Sequence, residues 1–459
     1  MLLDSSIFKA YDIRGIVDQT LTVEVARAVG QALGELAKEK GVKSLCVARD
    51  GRLSGPKLAA ALMEGITSTG VDVISIGMVP TPVLYFATFF TQTGSGIAVT
   101  GSHNPPEYNG LKMMMASDTL YGQGIQNLKD RILKGISENP SRGEIRELDV
   151  VTPYLDKVLG DVKLDRPMKI AMDCGNGVTG PLAMKLFSAL GCEIVPLYTD
   201  IDGHFPHHHP DPSKPENLAD LIETVKNSDA ELGIAFDGDG DRLGVVTKSG
   251  QIIYPDRQMM LFAADILKHN PGSPIIYDVK CTRRLVPWIR EHGGIPTICR
   301  TGHSLVKAKL KETQAPFAGE MSGHLFFNDK RWPGFDDGLY AGARLLEILS
   351  RTASPSDVLE ALPSAVNTPE LHIEMAEGEN KPFVEKLQKQ LHFDDATDII
   401  TIDGIRVEWK DGFALARPSN TTPVVVLRLE GDTIEALERI KRRFGEAIKA
   451  VDPSVVLPF

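Results

Sequence analysis

The sequence has few of the features that mark secreted, nucleic-acid-binding or membrane proteins. Its five cysteines are odd in number, widely spaced and never in a C-x-x-C pair, which argues against a disulfide framework and a cysteine zinc site. The net charge is −11 with no long basic run, so neither nucleic acid nor an anionic membrane is the expected partner. No apolar run reaches ~18 residues and the N-terminus lacks a signal-peptide pattern. We therefore expect a soluble cytoplasmic protein.

The composition is that of a globular chain of several domains. The sequence has 459 residues, of which 42% are hydrophobic and 24% charged, and at roughly 150 residues per domain this length suggests about three domains. The 42 glycines and 29 prolines exceed average usage and indicate many functional loops. An anionic ligand would need a local cluster of Arg, Lys and backbone N–H groups.

Internal repeats give the fold class. Three similar segments, each a short apolar strand that ends in a polar turn and opens a helix, lie at residues 45–56, 170–181 and 275–286. Three apolar runs that stop at a glycine-rich polar loop follow in the same order, at residues 96–105, 233–242 and 316–324. Strands that alternate with helices predict α/β domains with mainly parallel sheets and ligands at the carboxyl ends of the strands.

The last part of the chain follows another pattern. Lys410, Asp411 and Gly412 predict a hairpin turn between two strands, and the final helix has one apolar face, formed by Ile434, Leu437, Ile440, Phe444 and Ile448. A small antiparallel sheet with two helices is expected there. The predicted domains are residues 1–150, 151–250, 251–365 and 366–459.

Asp237, Asp239 and Asp241 alternate with glycines, which allow the backbone to aim three carboxylates at one point. Hard oxygen ligands of this kind suit Mg²⁺. An EF-hand would need Gly and Glu where Arg242 and Lys248 stand. The alternative is a solvated acidic turn, although repulsion between the carboxylates favours a bound cation.

Ser102 lies in a Thr-Gly-Ser-His-Asn-Pro loop directly after an apolar strand. Thr100 occupies the first glycine position of a G-x-S-x-G elbow, and the neighbouring His103 is not placed to form a hydrolase triad. Ser102 is therefore either a nucleophile or a helix cap, and the predicted metal loop favours the nucleophile.

Two further patterns are weak. Gly175, Gly177 and Gly180, with Asp200 about twenty residues beyond, match a dinucleotide fingerprint, but a tight strand-to-helix turn also explains the glycines. The histidines of residues 204–209 are flanked by prolines, which favours an extended loop with one or two histidines near a ligand over a metal cluster.

Two loops have the composition of a sugar phosphate site. Glu320, Ser322 and His324 alternate in a way suited to neighbouring sugar hydroxyls. Residues 417–423, Arg-Pro-Ser-Asn-Thr-Thr-Pro, offer a guanidinium, hydroxyls, an amide and turn N–H groups for a phosphate.

Taken together, these loops resemble those of the phosphohexomutases, specifically the bacterial phosphomannomutase/phosphoglucomutase group. The resemblance covers essentially the whole chain, in the order YDIRG at residues 11–15, TGSHNP, DGDGDR, GEMSGH and RPSNTTP. It implies three related α/β domains with mainly parallel mixed sheets and a C-terminal α+β domain similar to the TATA-binding protein, around a central cleft. Pro418 stands where the family usually has alanine.

The resemblance also implies roles for individual residues. Ser102 would carry the phosphoryl group, surrounded by Arg14, His103, Lys112, Arg242 and His324. Mg²⁺ would be held by the Ser102 phosphate and by Asp237, Asp239 and Asp241. The general base stays open among Lys112, His103 and His324.

The implied substrate contacts are spread over the chain. Glu320 and Ser322 would bind sugar hydroxyls. The non-reacting phosphate would be held by Arg417, Ser419, Asn420 and Thr421. Further contacts would come from Tyr11, Lys280 and His303.

The implied activity is an isomerase that reversibly interconverts mannose or glucose 6-phosphate and 1-phosphate through a hexose 1,6-bisphosphate, with glucose 1,6-bisphosphate as activator. Such an enzyme would serve carbohydrate metabolism and polysaccharide biosynthesis through nucleotide-sugar precursors, and a monomer is expected. The alternatives are a phosphoglucosamine mutase, a nicotinamide oxidoreductase and a non-catalytic sugar-phosphate-binding protein.

Overall fold

The computed structural model describes residues 3–136, 139–420 and 422–459. The chain divides into two compact units. The first comprises the chain up to Pro255 together with Ser322–Ala361, and the second comprises Asp256–Met321 and Leu362–Phe459.

The first unit begins with a mixed sheet. Its neighbouring strands are, in spatial order, Ile13–Ile16, Tyr108–Met115, Gly96–Val99, Ser44–Arg49, Asp72–Met78 and Ile145–Glu147. Pairing is antiparallel on both sides of Tyr108–Met115 and parallel from Gly96–Val99 onward. The helices that accompany this sheet are Val23–Glu39, Gly55–Thr67, Thr81–Phe90 and Gln123–Lys134. Strand Gly96–Val99 is buried throughout, as expected of a strand covered on both faces.

Two glycines set the distance between the first two helices. A Cβ atom at Gly30 would lie 2.2 Å from the carbonyl oxygen of Leu62, and one at Gly65 would lie 2.0 Å from the carbonyl oxygen of Arg27. These helices therefore pack with their backbones in contact.

The first unit contains a second mixed sheet with the order Leu243–Thr247, Leu232–Phe236, Met168–Asp173 and Cys192–Leu197. The first pair is antiparallel and the others are parallel. Its helices are Val151–Asp161, Gly180–Ala189 and Ala219–Asn227, and strand Leu325–Phe327 and helices Gly338–Leu349 and Pro355–Glu360 complete the unit.

The second unit contains parallel strands in the order Ile295–Cys299, Pro274–Asp278 and Phe317–Gly319. Its first three helices are Pro255–Leu267, Leu285–Glu291 and His303–Thr313.

The C-terminal part of this unit is an antiparallel sheet in the order Val366–Asn367, Val424–Gly431, Gly412–Pro418, Ile405–Trp409 and Asp398–Ile400, with Leu371–Glu374 also paired to Val424–Gly431. Helices Asn380–Gln390 and Ile434–Val451 accompany it. The predicted hairpin is present, with Trp409 opposite Gly412. The apolar face of the last helix is buried except at Ile434, which is 65% exposed because it starts the helix.

The α/β fold with mixed sheets and a C-terminal antiparallel sheet is confirmed, whereas the domain boundaries stay a prediction. No helix in the described ranges is both long and apolar enough to span a bilayer.

Gly30→Ala should destabilise the first unit, because the new methyl group has to displace the Leu62 carbonyl. We expect a loss of roughly 1–3 kcal/mol, as for other overpacked interiors. Gly160→Ala is the matched control, since a Cβ atom there meets nothing within 4 Å, and it should raise stability by up to about 1 kcal/mol. Urea unfolding of both variants measures the difference, and equal midpoints would contradict the packing argument.

Candidate active site

Ser102 lies in a buried turn after strand Gly96–Val99 and has a φ of +50°. Its Oγ is 3.3 Å from Oδ2 of Asp237 and 3.2 Å from Nδ1 of His103. The chain continues into strand Tyr108–Met115 rather than into a helix, so the helix-cap alternative is wrong. Ser102 is placed beside an acidic loop, as the nucleophile interpretation requires.

The acidic loop joins the antiparallel strands Leu232–Phe236 and Leu243–Thr247. Oδ1 of Asp237 accepts hydrogen bonds from the backbone N–H groups of Gly240, Asp241 and Arg242, at 3.0, 3.1 and 3.2 Å. These bonds curl the loop around the first carboxylate.

Asp237, Asp239 and Asp241 are all fully buried, and ligand oxygens of the three lie within 4.8 Å of one another. The solvated-turn alternative is therefore wrong. A Cβ atom at Gly238 would lie 2.3 Å from the carbonyl oxygen of Ser102, so glycine at this position allows the two loops to approach.

Two buried cations compensate the three carboxylates. Nζ of Lys112 donates to Oδ2 of Asp239 at 2.8 Å and to Oδ2 of Asp241 at 2.5 Å, and Nε of Arg242 donates to Oδ2 of Asp237 at 2.9 Å. Burial by itself lowers the pKa of Lys112, but the Asp239 and Asp241 carboxylates outweigh it and raise the pKa above its usual value. The group keeps an excess of negative charge.

That excess fits a divalent cation. Within the described part of the chain, Oδ1 of Asp239 is buried without a hydrogen-bond partner, and such an oxygen is costly unless a cation satisfies it. Burial and the neighbouring Asp241 raise the pKa of Asp237 to about 7, which a bound cation would oppose. The acidic group could therefore hold a metal.

The other predicted catalytic residues lie in the same unit. Nη2 of Arg14 is 2.5 Å from Oδ2 of Asp12, and Nη1 of Arg14 donates to Asn104 in the Ser102 loop. Nδ1 of His324 is 2.9 Å from Oγ of Ser322, and Nε2 of His324 is 3.4 Å from Oδ1 of Asp241.

His103 and Tyr11 are less closely tied to the acidic loop. Burial and the nearby Arg242 and Arg14 hold the pKa of His103 well below its usual value. Its imidazole is therefore neutral at pH 7. Tyr11 is half-buried just before strand Ile13–Ile16.

The second unit contains Glu320, Lys280, His303 and the predicted phosphate loop, whereas Ser322 and Tyr11 lie in the first unit. Oε1 of the buried Glu320 accepts the N–H of Gly302 at 2.5 Å, directly before His303, which begins a helix. Nζ of Lys280 donates to Oε2 of Glu370 at 3.0 Å. This ion pair holds the pKa of Glu370 well below its usual range.

The phosphate loop follows strand Gly412–Pro418. Nε of Arg417 donates to Oδ2 of Asp403 at 3.0 Å, and that oxygen also accepts the N–H of Thr301 at 2.9 Å. Oγ of Ser419 lies 2.9 Å from Oγ1 of Thr422. Asn420 follows in the same loop and is half-buried, whereas Thr421 lies outside the described residues. Pro418 ends the strand opposite Val425.

Sequence reasoning missed residues that hold these groups. Oγ1 of Thr81 donates to Oδ2 of Asp239 at 2.6 Å from a position 158 residues away in sequence. Asp403 precedes Gly404, whose φ is +81°, and an Asp-Gly pair before a strand reads as an ordinary turn. Pro80 signals that a helix begins at Thr81, but no sequence pattern identifies Asp239 as the partner of Thr81.

The family follows from sequence comparison. Models of phosphoglucomutase/phosphomannomutase match four consecutive parts of the chain: alpha/beta/alpha domain I over residues 5–139, domain II over 152–250, domain III over 254–366 and the C-terminal domain over 370–447. The chain belongs to this family. It is thus an isomerase that moves a phosphoryl group, and the family implies sugar phosphate substrates.

Close relatives carry the same names. The chain is 52% identical over 458 residues to a phosphomannomutase/phosphoglucomutase of Pseudomonas aeruginosa, covering 100% of this chain and 98% of the relative. It is 55% identical over 454 residues to a phosphoglucomutase of Neisseria gonorrhoeae, covering 98% of each. The crystal structure of a phosphoglucomutase/phosphomannomutase family protein from Burkholderia thailandensis is 56% identical, with a TM-score of 0.95 and full coverage of both chains. A probable phosphoglucosamine mutase of Methanopyrus kandleri is more distant, at 33% identity over 96% of this chain and 97% of the relative.

Asp239→Asn should weaken binding of Mg²⁺ or Mn²⁺ at least about tenfold, because a neutral amide replaces an anionic oxygen. Titration calorimetry or Mn²⁺ electron paramagnetic resonance on the full chain measures this. Asp130→Asn, at an exposed position of helix Gln123–Lys134, removes the same charge and should have no effect. Unchanged affinity in Asp239→Asn would exclude the acidic loop as the metal site.

Proposed function

We propose that this chain interconverts the 1-phosphates and 6-phosphates of mannose and glucose through a phosphoserine at Ser102. The observation that carries this proposal is the position of the Ser102 Oγ, 3.3 Å from the first of three buried aspartates. Near it, Nη2 of Arg242 is a buried donor with no acceptor among the described residues. A phosphoryl oxygen would satisfy this donor.

Asp237, Asp239 and Asp241, with a phosphate oxygen on Ser102, would hold Mg²⁺, which supplies positive charge against the transferring phosphoryl group. The chain's own residues supply the remaining positive charge. Arg242 and Lys112 are fixed by their aspartate partners, so they need little reorganisation when charge develops. Asp12 holds Arg14 next to the Ser102 loop, where Arg14 also donates to Asn104.

Transfer of the phosphoryl group from Ser102 breaks the Oγ–P bond and forms a bond from phosphorus to a sugar hydroxyl oxygen, whose proton must leave. In the return step Ser102 loses its own proton to become the acceptor. Nδ1 of His103 lies 3.2 Å from Oγ and would take that proton. The general base for the sugar hydroxyl stays open among Lys112, His103 and His324; of these, Lys112 is held in its charged form by Asp239 and Asp241, which raise its pKa.

Glu320 and Ser322 would contact neighbouring sugar hydroxyls, and Arg417, Ser419, Asn420 and Thr421 would hold the phosphate that does not react. Lys280, His303 and Tyr11 would complete the contacts. Because each phosphate of the bisphosphate uses both positions in turn, the sugar has to be recognised in two flipped orientations. Glucose 1,6-bisphosphate would act as activator by rephosphorylating Ser102. We further propose that the enzyme works as a monomer in the cytoplasm, where its free, buried cysteines would stay reduced.

Ser102 should carry a phosphoryl group in the purified protein, and Ser102→Ala should lower turnover by orders of magnitude without loss of fold. Intact-mass and peptide spectra, before and after incubation with sugar phosphate, locate the group. Ser54→Ala, at a serine turn position of the first repeat, is the control. Turnover by a wild-type protein whose Ser102 is never modified would sink the proposal.

Mannose 1-phosphate and glucose 1-phosphate should both be substrates, since Glu320 and Ser322 can contact two adjacent hydroxyls and no loop is assigned to the 2-position that distinguishes these sugars. We expect specificity constants within about tenfold, or roughly 1.4 kcal/mol of transition-state binding. Assays on both, with glucosamine 1-phosphate in parallel, also test the phosphoglucosamine alternative. A thousandfold preference for one sugar would contradict this assignment.

Arg417→Ala should raise KM about tenfold or more, because a charge-assisted guanidinium contact is typically worth about 1.5–3 kcal/mol. It should also release the bisphosphate, which strands dephosphorylated enzyme and makes the variant depend more on added glucose 1,6-bisphosphate. Arg443→Ala, at an arginine whose side chain is 44% exposed, is the control. Steady-state assays with and without glucose 1,6-bisphosphate measure this dependence. If Arg417→Ala and wild type depended equally on the activator, Arg417 would have no role in retaining the bisphosphate.

A further inference from the structure

Arg52 is a buried arginine, 1% exposed, that lies outside the Ser102 loop in sequence but donates hydrogen bonds to it. Its Nη2 donates to the carbonyl oxygens of Ser102 at 3.0 Å and Asn104 at 2.5 Å. Its Nη1 donates to those of Pro105 at 2.6 Å and Tyr108 at 3.0 Å. One guanidinium thus cross-links four carbonyl groups of the loop.

Asp50 holds the other side of the same loop. Its Oδ2 accepts the hydroxyl of Thr100 at 2.8 Å and the N–H of Gly101 at 3.1 Å, and lies 3.3 Å from Nε of Arg52. Oγ1 of Thr100 in turn accepts the N–H of Ser102 at 2.8 Å. The backbone C=O of Ser102 is thus bound directly by Arg52. Its backbone N–H is linked to Asp50 through the Thr100 hydroxyl.

The histidine-rich loop, residues 204–209, contacts this pair. The ring of Phe205 lies 5.2 Å from the guanidinium carbon of Arg52, within the range of a cation–π contact. A Cβ atom at Gly101 would lie 2.3 Å from Nε of Arg52, so the backbone comes as close as glycine permits. The guanidinium is therefore enclosed by protein groups, and these contacts include no residue assigned to substrate.

Ser102 needs this support because its φ of +50° is one that L residues with side chains rarely adopt. Such conformations persist where surrounding contacts over-determine them.

We propose that Asp50 and Arg52 form a positioning pair for phosphoryl transfer, which fixes the backbone of Ser102 so that Oγ stays directed at the aspartate loop. The inference rests on the proposed phosphoserine function. Neither residue contacts the reacting atoms, so the pair acts through the loop geometry.

Arg52→Lys tests the pair, because lysine keeps the charge beside Asp50 but lacks the planar fork that binds four carbonyls. We expect kcat to fall on the order of a hundredfold, the effect that a displacement of about 1 Å can have, with KM within about twofold. Arg49→Lys makes the same change three residues earlier, where the arginine donates to one carbonyl, that of Asp50, at 3.3 Å, and should leave kcat unchanged. Asp50→Asn is the second variant if Arg52→Lys does not fold.

Amide hydrogen exchange of the full-length variants adds a readout that does not depend on turnover. Faster exchange confined to residues 100–108, together with the loss in kcat, supports the pair. A folded Arg52→Lys with unchanged kcat, a loss expressed in KM, or exchange that rises uniformly over the first unit would overturn it. Wild type is measured in parallel. If the wild-type protein showed neither turnover nor phosphate on Ser102, the proposed function would be refuted. Slow amide exchange of residues 100–108 in the same protein would still report the Arg52 contacts.

Discussion

The site in the first unit depends on how the chain compensates three buried carboxylates. An uncompensated buried charge is strongly unfavourable, yet Asp237, Asp239 and Asp241 are all fully buried. Backbone N–H groups satisfy Asp237, and Lys112 on strand Tyr108–Met115 bridges the other two. The strand order that places Tyr108–Met115 beside Gly96–Val99 thus brings a cation and the Ser102 loop to the same end of one sheet.

Each of the three repeats has a buried aspartate at the end of its first strand. Asp50 directly follows strand Ser44–Arg49, and Asp173 and Asp278 end their strands, with exposures of 3%, 1% and 0%. Each accepts hydrogen bonds from a later loop: Asp50 from Gly101, Asp173 from the histidine-rich loop, and Asp278 from Thr301. A carboxylate at a strand end therefore accepts a hydrogen bond from a later loop in each repeat.

The sequence predicted the loops but not the residues that hold them. Strand-end glycines and carboxylates mark Ser102 and the aspartate loop, because local composition determines where a strand stops and a turn begins. No local signal identifies the partners of Arg52, Thr81 and Asp403, because these partners lie 50, 158 and 14 residues away. The α/β order follows from the internal repeats and the C-terminal hairpin from its Lys-Asp-Gly turn. Helical periodicity predicts the buried face of the last helix but not the exposure of Ile434, because periodicity does not show where the packing of a helix begins.

The way Ser102 is held suits a side chain that has to change chemically. A residue whose hydroxyl is alternately esterified and free would lose its position if that hydroxyl were its main anchor. The strong contacts of Ser102 are instead made by its backbone, through Thr100 and Arg52, while Oγ has longer contacts of 3.2 and 3.3 Å. These backbone hydrogen bonds do not involve Oγ, so esterification of the hydroxyl removes neither donor nor acceptor. Anchoring through them leaves Oγ available for phosphoryl transfer and keeps the loop in one geometry throughout the proposed cycle.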